Sequence, residues 1–181
     1  RCRYDEALQF ALEATDIQPK AFVANLLVGA QYFYMDQFDK ADRAWGEAQK
    51  HCPGVEDILE VARAWIRVRE GNSALAQETL EANADAPWLP GPYGPYYSSL
   101  AALVGEKERA ITLLENDRTF ARSYRYLISE PTLESLKDAP RFHSLLAKRH
   151  KEWTRNLSEM EAGLPNPLDC CLPSPEEFLS K

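Results

Sequence analysis

The sequence predicts an all-α protein: antiparallel helix pairs stacked as a right-handed helix–turn–helix solenoid of about 3.5 repeats, closed by C-terminal capping helices. Three observations carry this. A set of residues returns at a spacing of 34, small residues occupy the positions where two helices would cross, and Gly, Asp and Pro punctuate the apolar runs at matching places. Tyr4, Ala7, Ala11, Ala14 and Pro19 return 34 residues later as Phe38, Ala41, Trp45, Ala48 and Pro53. The next copy slips by one residue and sets Ala76 and Leu80 opposite Ala41 and Trp45. Gly71, Ala76 and Leu80 then return, again after 34, as Gly105, Ala110 and Leu114.

Each element follows from this pattern. Helices are predicted over 3–17, 21–35, 38–51, 55–70, 73–84, 95–104 and 107–116. The aromatic at Tyr4 or Phe38 opens the second helix of a pair and packs into its apolar seam. The alanine three residues on allows close approach, because a larger side chain would hold the helices apart. Gly71 and Gly105 fall in the turn within a pair, where a positive φ is cheap for glycine, and Asp36 takes that place in the second unit. Pro19 and Pro53 cannot continue the helices they follow. Between 86 and 95, four prolines and two glycines interrupt the rhythm, and Trp88 and Tyr93 sit on that loop. Beyond Asn116, Ser129 to Leu136 reads as a short capped helix with Pro131 near its start, and Asp138-Ala139-Pro140 opens a longer one running through Trp153 towards Met160. The predicted division is 1–116 solenoid, 117–160 capping helices, and 161–181 a Pro-rich tail.

The residues of 22–55 resemble the tetratricopeptide repeat: Val28-Gly29, Tyr32, Phe38, Ala41, Trp45, Ala48 and Pro53 all stand at the family's positions. Residues 1–19 supply a second helix only, and 56–84 and 95–116 are degraded copies. The resemblance spans about 116 residues and implies a binding scaffold. The segment Gly105-Glu106-Lys107 through Leu114, Pro131 to Leu136 and Asp138-Ala139-Pro140-Arg141-Phe142 is similar to the closing part of such arrays in bacterial signalling proteins. There the array follows a winged-helix, cyclase or kinase domain, and the motif Asp-Pro-Arg-Phe is one residue shorter than here. Arg1 to Ala7 reads as a helix already inside a repeat, which predicts a piece of a longer protein.

The family's geometry implies an inner wall built from the first helix of each pair. Val23, Leu26, Phe33 and Tyr34, then Ile58, Val61, Trp65 and Arg69, then Tyr96 are the candidate groove residues. Such an apolar, aromatic wall suits an amphipathic helix, an extended apolar peptide, a neighbouring domain or the protein's own tail, where Leu164, Leu168, Leu172, Phe178 and Leu179 are apolar enough to dock. A small apolar ligand sensed in the groove is the alternative reading.

Catalytic signatures are missing. The sequence holds no Gly-rich phosphate loop, His-Glu-x-x-His, Cys-x-x-Cys or Gly-x-Ser-x-Gly, so a non-enzyme without cofactor or metal is expected. His143 and His150 stand seven apart, about 10 Å along a helix, too far to share one metal. Cys170 and Cys171 are vicinal in the tail with no further ligand type nearby. A net charge of −7 argues against nucleic acid and anionic lipid as partners. The local run Arg141, Lys148, Arg149, Lys151 and Arg155 reads as a solvated stripe. No apolar run approaches the about 20 residues that span a bilayer, and four cysteines without a framework fit a reduced, cytoplasmic setting.

Overall fold

The computed structural model describes residues 4–86, 89, 93–117, 123–160 and 173–180, with the backbone alone of 157–160. Every regular element among the described residues is helical. The chain divides into two compact units, Arg1–Asp85 and Ala86–Lys181. This boundary falls at the Pro- and Gly-rich segment, inside the stretch predicted as one solenoid.

The first unit holds α1 (Tyr4–Ile17), α2 (Phe22–Tyr34), α3 (Phe38–His51), α4 (Glu56–Arg69) and α5 (Ser73–Ala82). All five lie within two residues of the predicted limits. Their order of packing is α1 on α2, α2 on α3, α3 on α4 and α4 on α5. The crossing of α2 and α3 is the closest fit. Gly29 lies flat against the fully buried Trp45 indole, and Trp45 Nε1 donates to the Leu26 carbonyl at 3.2 Å. A β-carbon on Gly29 would stand 2.1 Å from that nitrogen, so only glycine permits the approach. The turn from α1 into α2 is tied by buried Asn25, whose side-chain amide donates to the carbonyls of Pro19 and Ala21, both at 3.0 Å.

The turns within helix pairs share one backbone form. Asp36, Gly71 and Gly105 all have positive φ, at 57°, 85° and 91°. After each, an N–H reaches back five residues: Gln37 to Tyr32 at 2.9 Å, Asn72 to Arg67 at 2.8 Å and Glu106 to Ala101 at 2.8 Å. This is the left-handed helix end that satisfies the last carbonyls, and its recurrence at spacings of 35 and 34 is the repeat expressed in backbone geometry.

The second unit holds α6 (Gly94–Leu103), α7 (Lys107–Asn116), α8 (Tyr124–Ser129), a 3-10 helix (Pro131–Leu136), α9 (Pro140–Met160) and α10 (Pro175–Leu179). Helix α6 is its centre: every residue from Gly94 to Ala102 is buried, with α7 and the 3-10 helix packed against it. A helix apolar or neutral all round suits such a place. Polar groups join the two helices: the Thr132 hydroxyl donates to Ser99 Oγ at 2.7 Å, and Ser135 of the 3-10 helix donates to the Ala102 carbonyl at 3.0 Å. Burial of Tyr126, reinforced by Glu130, pushes its hydroxyl well above the usual tyrosine range. The short helix predicted before Leu136 is a 3-10 turn whose first amide, on Thr132, is capped by the Glu130 carboxylate.

Candidate partner-binding site

The nine candidate groove residues separate by accessibility. Leu26, Phe33 and Trp65 are each 2% exposed, Ile58 is 4%, Val61 is fully buried and Tyr96 is 8%. A side chain this covered offers a partner almost no surface, so these six belong to the core and not to an open wall. The cause differs by helix. Phe33 is locked among rings, with Trp65 at 5.4 Å, Tyr34 at 5.6 Å and Phe38 at 6.0 Å between centroids. Ile58 and Val61 lie on α4, which packs between α3 and α5. Tyr96 lies on the central α6, where burial pushes its hydroxyl above the usual tyrosine range.

Tyr34 is half-buried, stacked on Tyr4 with centroids 5.5 Å apart. Val23 and Arg69 are exposed. Arg69 lies over the Phe33 ring at 5.9 Å and pairs with Asp36 at 2.5 Å, closing the end of the aromatic cluster. Phe33, Tyr34, Trp65 and Arg69 therefore form one cluster, with Phe33 and Trp65 turned inward.

Other apolar side chains take the surface. Phe10 is 70% exposed and Ile17 86%, with Leu12 on the same helix and Val23 and Leu27 on α2. Of the six large apolar side chains exposed among the described residues, five stand on α1 and α2, and Leu75 alone lies elsewhere. The residue-level signal was present in the spacing of Phe10, Ala14 and Ile17, three and four apart on one face of α1. It is a second apolar stripe, beside the inward one of Leu8 and Ala11, which packs with Val28, Tyr32 and Ala44.

Electrostatics around this region are acidic. Helix α1 carries Asp5, Glu6, Glu13 and Asp16 and no basic residue, and residues 1–85 hold 15 Asp and Glu against nine Lys and Arg. Several acids are already matched: Asp42 to Arg63 at 2.7 Å, Asp36 to Arg69, and Glu60 to Arg67.

The basic run of the second unit is not a uniform solvated stripe. Arg149 is 4% exposed, pairs with Glu152 at 2.8 Å and donates to the Glu115 carbonyl at 3.3 Å. Arg141 bridges Glu108 at 2.9 Å and Glu115 at 2.5 Å, and both carboxylates hold its guanidinium pKa above the ordinary arginine value. Lys148, Lys151 and Arg155 are exposed. His143 Nε2 lies 2.5 Å from the Lys137 carbonyl, while His150 packs between Tyr124 and Trp153. No three His, Cys, Asp or Glu among the described residues form a metal-sized group, and no helix there is long and apolar enough to cross a membrane.

Residues 173–180 lie in the second unit, where Tyr124 donates to the Pro173 carbonyl at 2.6 Å and Lys137 sits 4.6 Å from the Phe178 ring centre. Leu164, Leu168, Cys170, Cys171 and Leu172 lie outside the described residues, as does Trp88. In comparisons with protein-family models, curated proteins and solved structures, no match was found.

Proposed function

We propose that this chain is a protein- or peptide-binding module of the tetratricopeptide kind, serving a larger regulatory protein in a cytoplasmic setting. One observation carries the reading: exposed large apolar side chains are concentrated on α1 and α2, instead of scattered singly as on an ordinary surface. The repeated turns at Asp36, Gly71 and Gly105 support the scaffold half of it, since stacked helix pairs leave faces that other helices or peptides complete. The wall that a small apolar ligand would need is filled by Phe33, Trp65 and their neighbours, which favours surface docking over an internal sensor site.

The test is affinity capture with the full chain and with a Phe10→Glu, Leu27→Glu double variant. Both side chains are exposed, so the helices remain formed. A partner held by the unaltered chain and lost by the variant is expected. Equal recovery by the two proteins counts against the reading.

A further inference from the structure

The last helix of the second unit is joined to it differently from the others. Among the described residues, the fully buried side chains Leu100, Ile111, Leu136, Phe142 and Leu146 stand on α6, α7, the 3-10 helix and α9. Helix α10 adds one buried residue, Pro175, with Phe178 and Leu179 half-buried and Glu176 and Glu177 exposed. The core of this unit is therefore built without α10, and lifting that helix uncovers little apolar area, as for segments that open locally.

What holds α10 is aimed at particular groups. The Tyr124 hydroxyl of α8 donates to the Pro173 carbonyl at 2.6 Å, just ahead of the helix. The Lys137 ammonium, paired with Glu134 at 2.9 Å, lies 4.6 Å from the centre of the Phe178 ring. The Glu176 carboxyl is held below its ordinary range by its own backbone N–H and by Ser174, with a smaller pull from His150 of α9. His150 in turn lies against Tyr124, their centroids 4.8 Å apart. Within α10, Glu177 N–H donates to Ser174 Oγ at 3.2 Å and Ser174 N–H to the Glu177 carboxylate at 2.8 Å. The segment thus brings its own cap to the surface it docks on. That surface meets a carbonyl, an acid and an aromatic ring at fixed spacing. One backbone hydrogen bond joined to a few side-chain anchors is how peptide sites read short motifs.

We propose that Tyr124, Lys137 and His150 form a recognition site for a short capped helix of the pattern Pro-Ser-Pro-Glu-Glu-Phe-Leu, with α10 as its tethered occupant. A peptide of that acidic, aromatic chemistry binds by displacing α10, so the tail acts as a built-in competitor. The site belongs to the second unit and does not rest on the α1 and α2 face, and either reading can fail without the other.

The experiment uses the full chain, the full chain carrying Pro175→Lys and Phe178→Lys, and a fluorescent peptide of residues 172–181. The double variant alters the tail and leaves the seat as it is. Fluorescence anisotropy is expected to show one-to-one binding of the peptide to the double variant. Binding to the unaltered chain should be at least tenfold weaker, because the tether keeps α10 at a high effective concentration. Phe178→Ala, a milder change in the tail, should give an affinity between the two. Added to the double variant, Tyr124→Phe should weaken the peptide about fivefold and Lys137→Gln about threefold. The melting temperature of the double variant should match that of the parent. A clear fall in it, or no peptide bound by either tail variant, makes α10 a structural part of the unit and overturns the proposal. Equal binding to altered and unaltered tails overturns the occupant. Binding indifferent to both Tyr124→Phe and Lys137→Gln overturns the location.

Discussion

Gly29 and Gly46 lie on helices that cross, and the same substitution at each should act with opposite sign. Glycine costs a helix interior about 1 kcal/mol relative to alanine, so each replacement starts with that much to gain. At Gly46 a β-carbon meets nothing within 4 Å, and Gly46→Ala is expected to raise stability by about 0.5–1 kcal/mol. At Gly29 the same atom falls within 2.3 Å of two atoms of a fully buried indole ring. Trp45 cannot swing aside, because Ala41 and Ala48 around it are equally buried and its N–H is held by the Leu26 carbonyl. Overpacking of a core typically costs about 1–3 kcal/mol, which exceeds the propensity gain. Urea denaturation should show Gly29→Ala with a lower midpoint than the parent and Gly46→Ala with a higher one. Two shifts of the same sign would refute the close approach.

Among the elements, α10 is the shortest, and its attachment is chemical more than hydrophobic. Five residues cannot hold a helix alone. Ser174 and Glu177 form a capping box, with Ser174 N–H donating to the Glu177 carboxylate at 2.8 Å, and the Tyr124 hydroxyl fixes Pro173. Burial, with Glu176 and Glu177 nearby, pushes the Tyr124 hydroxyl up to about 12, against about 10 in an unfolded chain. The folded state therefore keeps this proton more tightly. Its contribution is complete below pH about 10 and is lost as pH rises towards 12. Stability measured from pH 9 to 12 should fall less steeply in Tyr124→Phe than in the parent, and parallel curves would remove Tyr124 from the account. The neighbouring α8 was not legible in the sequence, since six residues are too few to display a helical period. Helices α1 to α7 were legible because Pro19, Pro53, Gly71 and Gly105 mark their ends and alanines mark their crossings, and α9 because Asp138-Ala139-Pro140 opens it. What periodicity could not give is how many neighbours cover a face. Phe33, Ile58 and Tyr96 are buried where α2, α4 and α6 each pack against more than one neighbour, while α1 keeps Phe10 in the open.

At the scale of the molecule, each compact unit has its own core. Trp45, Leu59, Val61 and Leu80 are fully buried in the first, and Leu100, Ile111, Leu136 and Phe142 in the second. Cooperative opening follows continuous cores, because a side chain lost from one core withdraws contacts only from residues packed with it. Gly29→Ala should therefore speed amide exchange across α1 to α5 and leave α6 to α9 as protected as before. Leu136→Ala, which empties a fully buried site and costs about 2–5 kcal/mol, should do the reverse. Hydrogen exchange read by mass spectrometry separates the two patterns peptide by peptide. If either variant speeds exchange evenly from Tyr4 to Asn156, the chain opens as one unit. The exposed face of α1 and α2 would then draw its rigidity from the whole molecule, because the first five helices would not hold it on their own.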